Sequence, residues 1–211
     1  MKIGSLTVGP VQENTYVAIN EQTNEAIVID PGDEPNQITA ALDASGAKVS
    51  AILITHCHFD HVGAVAPVAR HTGAEVWVPQ LERPALEDIM NFVPWKEFGP
   101  YENYDAEHDV SGGEKLNLAG FEIDVIFTPG HSPGHVTYSF ASEAVIFSGD
   151  VLFQGSVGRT DLPGGSAEVL QESIAQLIAQ LPPETQVCPG HGGPTTLAAE
   201  RESNPFLAAL R

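Results

Sequence analysis

The segment Thr55-His56-Cys57-His58-Phe59-Asp60-His61 places four groups able to bind a metal within six residues. In an extended turn His56 and His58 point to the same side, because side chains alternate with period two. Asp60 and His61, opening the helix that follows, face a neighbouring point. That arrangement suits two metals better than one. Imidazole suits zinc, iron or copper and a carboxylate adds a harder donor, so the mixed set admits zinc, iron or manganese. Three further candidates follow apolar stretches: His131 in Thr128-Pro129-Gly130-His131, Asp150 in Ser148-Gly149-Asp150, and His191 in Pro189-Gly190-His191. Proline and glycine set tight turns that aim a side chain beyond the end of a sheet.

Elements able to position these groups are legible in the hydrophobic pattern. Alternation predicts strands over 2–8, 14–20 and 25–29, arranged as a meander. Helical spacing of Ile38, Ala41 and Leu42 predicts a helix over 34–44 that stops at Gly46. The run 51–54 is apolar on both faces, as a central strand covered from above and below must be, and it ends at Thr55-His56. A helix over 65–71 and strands over 75–78, 121–127, 136–140, 144–147 and 186–188 follow. A helix over 166–181 is capped by Ser166 and stopped by Pro182-Pro183, and a last helix lies near 197–202. Polar clusters directly after strands indicate packed layers with function in the loops at strand ends.

The whole chain of 211 residues, 42% hydrophobic, fits one domain over 1–211. A net charge of −19 disfavours any phosphate-rich partner, so nucleic acid is not the expected substrate. No apolar run approaches the roughly 20 residues that span a bilayer, and the N-terminus reads as a strand rather than a signal. The expectation is a cytoplasmic protein without membrane or nucleic-acid partners, whose oligomeric state the sequence leaves open. Cys57 and Cys188 are too few for a disulfide scaffold and are expected to be reduced, buried and structural. Cys57 lies between two histidines that face one side, so its thiol should point away from the metals.

The order His-X-His-X-Asp-His, then His131, Asp150 and His191, resembles the metallo-β-lactamase superfamily across most of the chain. That resemblance implies an α+β fold, an αββα sandwich of two mixed β-sheets flanked by helices with the metal site at one edge. It also implies that His56, His58 and His131 hold a first metal, that Asp60, His61 and His191 hold a second, and that Asp150 bridges both. Two divalent transition metals, zinc first with iron or manganese as alternatives, would share a hydroxide, since coordination lowers the pKa of water from 15.7 to about 7. The hydroxide would attack an acyl carbonyl while Asp60, besides ligating, orients it.

Two stretches narrow the resemblance. Ser148-Gly149-Asp150-Val151-Leu152-Phe153 with Gly155-Ser156-Val157-Gly158-Arg159-Thr160-Asp161, and Pro189-Gly190-His191-Gly192-Gly193-Pro194-Thr195-Thr196, are similar to the hydroxyacylglutathione hydrolases, or glyoxalase II-like proteins. These cleave the thioester of S-lactoylglutathione. The resemblance places Arg159 where a basic residue faces the substrate and Tyr138 where a tyrosine lies near it. Arg159 either pairs with a glutathione carboxylate or forms a salt bridge with Asp161. The chain ends at Arg211, without the helical extension that supplies basic glutathione-binding residues in two-domain members, and so resembles the short, single-domain branch.

His135 is expected to hydrogen-bond in support of the site rather than to ligate, because seven ligands already complete it. His71 and His108 lack a neighbouring motif and are expected at the surface. Phe92, Trp95, Phe98, Tyr101 and Tyr104, between Gln80 and His108, form either an aromatic lid or part of the core. Rival readings are a persulfide dioxygenase with one iron, and a lactonase or β-lactamase that keeps hydrolysis but changes the acyl group. The sequence Gly192-Gly193 after His191, where the dioxygenases tend to carry Asp-Tyr, together with the full ligand set, favours the hydrolase.

Overall fold

The computed structural model describes residues 1–95 and 97–210, which fall into two compact units. The first comprises Met1–Val110 with Asn117–Phe121, the second Ser111–Leu116 with Glu122–Arg211. Each contains one mixed sheet with flanking helices, as the sequence resemblance implies.

In the first unit the elements run β1 (Lys2–Val8), β2 (Glu13–Asn20), β3 (Glu25–Ile29), α1 (Pro35–Ser45), β4 (Lys48–Leu53), α2 (Phe59–Val62), α3 (Val65–Thr72), β5 (Glu75–Pro79), α4 (Arg83–Glu87), α5 (Ile89–Phe92) and β6 (His108–Val110). The sheet order is β1-β2-β3-β4-β5-β6. β1, β2 and β3 form the antiparallel meander, and β3 through β6 pair in parallel. Parallel neighbours need a crossover, which α1 supplies between β3 and β4 and α3 between β4 and β5. Pro35 opens α1 and Gly46, at φ 68°, closes it. Ile38 and Leu42, one turn apart, bury the same helix face beside Val28, Ile52 and Val76. Central β4 buries Val49, Ala51, Ile52 and Leu53, which explains its two-sided apolarity.

The remaining elements are β7 (Lys115–Leu118), β8 (Phe121–Phe127), β9 (Val136–Phe140), β10 (Val145–Gly149), β11 (Leu152–Phe153), β12 (Ser156–Val157), α6 (Ala167–Gln180), β13 (Gln186–Pro189), β14 (Thr195–Thr196) and α7 (Leu197–Ser203), which belong to the second unit apart from Asn117, Leu118 and Phe121 of β7 and β8. Its sheet runs β14-β13-β10-β9-β8-β7, and β11 pairs with β12 as a separate hairpin. The one parallel pairing identified in this sheet, β10 with β13, is bridged by α6. The Ser166 hydroxyl caps α6 by accepting from the Val169 N–H at 3.4 Å. Leu170, Ile174 and Leu177 line one face of that helix and pack with Ile146, Val187, Leu197 and Leu207. Burying each such aliphatic side chain contributes about 1.5–3 kcal/mol.

The predicted long elements are present, four strands with their predicted ends and the others with ends shifted by up to three residues; β4, for example, starts at Lys48 rather than at residue 51. β6, β7, β11, β12, β14, α4 and α5 lay outside the prediction. Elements of two to five residues are too short to show a period of 2 or 3.6, and tertiary pairing creates them. No helix among the described residues is long and apolar enough to cross a membrane.

Candidate metal centre

The predicted ligands divide between the units. His56, His58, Asp60 and His61 stand in the first, and His131, Asp150 and His191 in the second.

In the first unit β4 delivers the chain into Thr55, and His58 leads into α2. Hydrogen bonds decide which nitrogen of His56 and of His61 carries the proton. The Thr55 hydroxyl donates to Asp30 Oδ2 at 2.6 Å, so toward His56 Nδ1, 3.1 Å away, its oxygen is an acceptor. His56 therefore carries its proton on Nδ1 and keeps Nε2 free of it. His61 Nδ1 likewise donates to Asp30 Oδ2 at 2.9 Å, which turns its Nε2 toward Asp60 Oδ2, 3.9 Å away. His56 Nε2 and His58 Nδ1 lie 3.1 Å apart. Two imidazole nitrogens on one tetrahedral zinc stand about 3.3 Å apart, so this spacing fits a shared ion.

Asp30 was not singled out from the sequence, yet it organises this half. Its carboxylate also accepts the Thr55 N–H at 2.7 Å, it is 2% exposed, and its φ is +48°. Aspartate tolerates this left-handed conformation better than most residues, and three hydrogen bonds onto one carboxylate hold it there. A signal existed: Asp30-Pro31-Gly32 repeats the strand-end Pro-Gly context of His131 and His191. Gly32 is required by contact, because a Cβ there would lie 1.8 Å from the Asp60 carbonyl oxygen. Glu13 was missed too. It is fully buried, accepts from Thr15 Oγ1 at 3.1 Å, and its Oε1 lies 3.9 Å from His61 Nδ1. Burial pushes its carboxyl well above the usual range, and nearby Asp30 and Asp60 add to this against the opposing His61.

In the second unit β10 ends at Gly149 and presents Asp150. Asp150 Oδ2 lies 3.4 Å from His131 Nε2 and 3.6 Å from His191 Nε2, again the spacing of donors around one ion. The Arg159 carbonyl, which only accepts, takes the His131 Nδ1 proton at 2.7 Å and leaves Nε2 as the ligand atom. The Asp150 N–H donates to His135 Nε2 at 3.1 Å. His135 then protonates at Nδ1 toward Thr128 Oγ1, 3.2 Å away, so hydrogen bonds occupy both its nitrogens in the supporting role expected for it. Gly158 repeats the logic of Gly32: a Cβ there would lie 1.9 Å from the Asp150 carbonyl oxygen.

Of the expected substrate contacts, Arg159 forms a two-pronged ion pair with Asp161 at 2.7 and 2.8 Å, which holds the Asp161 carboxyl down at about 2. Tyr138 is fully buried in β9, so in this structure its ring is a core residue of the second sheet with no surface open to a substrate. Cys57 and Cys188 are free and buried, and burial pushes both thiols up, Cys188 to about 12. His71 and His108 stand at the surface, paired with Asp43 and Glu75. Of the aromatic segment, Phe98 stacks on Phe59 at 5.1 Å and Tyr101 and Tyr104 pack on the core. Trp95 and Phe92 are exposed, and Lys96 between Trp95 and Phe98 lies outside the described residues.

Comparison with known proteins agrees with this donor chemistry. The model of the metallo-beta-lactamase superfamily matches residues 8–191. The hydroxyacylglutathione hydrolase GloC of Haemophilus influenzae is 35% identical over 220 residues, covering 98% of each chain. Among crystal structures, the BLEG-1 B3 metallo-beta-lactamase superposes with a TM-score of 0.93 at 41% identity, covering 98% of this chain and 100% of that one. TTHA1623 in a di-iron-bound form gives a TM-score of 0.79 at 40% identity, covering 97% and 100%. The family match, the fold and histidines whose tautomers are set for ligation converge: the chain belongs to the metallo-β-lactamase superfamily and is a metal-dependent hydrolase.

Proposed function

We propose that His56, His58, His131, Asp60, His61, His191 and Asp150 together hold two divalent metals, and that the protein hydrolyses the thioester of a small acyl-thiol such as S-lactoylglutathione. The observation that carries the metal reading is the common protonation pattern of His56, His61 and His131, each with Nδ1–H spent on a fixed acceptor and Nε2 left to ligate. Its extension to a thioester rests on the 35% identity to a hydroxyacylglutathione hydrolase over 98% of both chains. Zinc is the proposed metal, with iron the alternative supported by the di-iron form of a relative and manganese admitted by the donor set.

Bound cations would acidify water and polarise the scissile carbonyl. Asp60, with 14% of its side chain exposed, accepts a hydrogen of the attacking water and orients it. A thiol has a pKa of about 8.5, so the leaving thiolate departs without a general acid, and the reading requires none. Arg159 would exchange Asp161 for a substrate carboxylate, a local cation in a chain of net charge −19. The partner is a small molecule, and a cytoplasmic location accords with two free thiols.

A β-lactam amide is the second reading, favoured by 41% identity to a B3 metallo-beta-lactamase. Release of free thiol from S-lactoylglutathione, measured beside hydrolysis of a chromogenic cephalosporin, separates the two. The proposal expects thioester cleavage at a kcat/KM of about 10⁴ M⁻¹ s⁻¹ or more and far slower β-lactam turnover. The reverse preference, or oxygen uptake on glutathione persulfide with no thiol release, would overturn it.

A further inference from the structure

The C-terminal helix α7 carries a buried polar cluster that neither the predicted ligands nor the proposed chemistry uses. Glu200 is 2% exposed and Asn204 fully buried. Glu200 Oε1 accepts from Thr195 Oγ1 at 2.6 Å, and Oε2 accepts from the Gly155 N–H and from Asn204 Nδ2, both at 2.8 Å. Asn204 Nδ2 also donates to the Ser156 carbonyl at 2.9 Å. One carboxylate and one amide thus grip Gly155 and Ser156 at the turn of the β11–β12 hairpin.

That hairpin is two residue pairs long, Leu152 with Val157 and Phe153 with Ser156, too short to be ordered by its own ladder. Yet its surroundings are the second-unit ligands. Its first strand begins two residues after Asp150. Phe153 meets the His191 ring edge-on at 6.0 Å, and Gln154 Oε1 lies 3.3 Å from the Cβ position of Gly193. Its second strand leads into Gly158, whose N–H donates to the Val151 carbonyl, and into the Arg159 carbonyl that fixes the His131 tautomer.

We infer that Glu200, with Asn204, is a positioning residue for the metal ligands of the second unit: it clamps the β11–β12 hairpin, and the hairpin orients His131 and His191. A carboxylate suits the task because it accepts from three donors at once without donating. The inference rests on the metal-binding reading above, and the test keeps the two separable.

The test is titration of metal-depleted protein with cobalt(II), following the visible d–d absorption, which reports ligand geometry independently of turnover. Glu200→Gln keeps the shape but turns one acceptor into a donor. Thr196→Ala removes the N-cap of the same helix, where Thr196 Oγ1 accepts from the Ala199 N–H at 3.2 Å, and leaves the clamp untouched. Glu200→Gln should weaken cobalt affinity about tenfold and change the absorption envelope, at the lower end of what supporting-shell substitutions do. Thr196→Ala should lower the melting temperature with both cobalt readouts unchanged. Should Glu200→Gln fail to fold, Asn204→Ser, which breaks the bond to the Ser156 carbonyl, should show the same change. Wild-type cobalt affinity and spectrum in a folded clamp variant, or an equal change in Thr196→Ala, would overturn the inference alone. Failure of the wild-type protein to bind cobalt would overturn the metal reading beneath it.

Discussion

The two units orient their histidines by different means. In the first, one side chain does the work: the Asp30 carboxylate accepts from Thr55 twice and from His61, and through Thr55 it sets His56. In the second, backbone groups do it, the Arg159 carbonyl fixing His131 and the Asp150 N–H meeting His135. A glycine serves each half by close approach, Gly32 against the Asp60 carbonyl and Gly158 against that of Asp150. Ligand orientation is therefore vulnerable to single side-chain changes in the first unit, whereas in the second it depends on how loops are held.

Buried Cys57 and Cys188 give each unit its own internal reporter. With Cys188 pushed by burial from an ordinary 9.0 up to about 12, its thiolate at pH 8 is about a thousandfold scarcer than in the unfolded chain. Thiol labelling at pH 8 should be slower by at least that factor in the folded protein, and both thiols should react on denaturation. Rapid labelling of Cys188 in the native state would contradict its placement in the core.

Replacing Asp30 by alanine strands the Thr55 and His61 donors, and metal affinity should fall by about 100-fold. Metal titration with a thermal melt checks this, and an unchanged affinity would deny Asp30 its organising role. His135→Ala removes the acceptor of one buried amide, so a fall in affinity of about tenfold is expected. The smallest effect on metal binding belongs to Arg159→Ala. Its carbonyl remains to hold His131, so metal content should not change, and KM for a carboxylate-bearing thioester should rise by roughly tenfold with kcat retained. Loss of metal in that variant would show that the side chain, not the backbone, supports the second half.

Much of this was legible because ligand motifs sit at strand ends, where local pattern is strongest. The two-sided apolarity of β4 and the strands predicted at β8 and β10 locate His56, His131 and Asp150 at their turns. Period-two geometry also placed Cys57 in the core. Tyr138 marks a limit: a resemblance suggested a residue near substrate, whereas its position between Thr137 and Ser139 in a strand buried along its length makes it core. Asp30, Glu13 and Glu200 were not read because their roles arise from partners distant in sequence, such as Thr55 for Asp30, His61 for Glu13 and Gly155 for Glu200, and no local period encodes those pairings. The hairpin of β11 and β12 escaped for the same reason.

Metal content of the wild-type protein and of Asp150→Ala, purified without added metal and assayed together for thiol release from S-lactoylglutathione, tests the central claim most directly. About two metals per chain with thioester cleavage, both falling in the variant, is the expected result for a carboxylate shared between two ions. Two metals retained in Asp150→Ala, or thioester cleavage by metal-free wild-type protein, would contradict it.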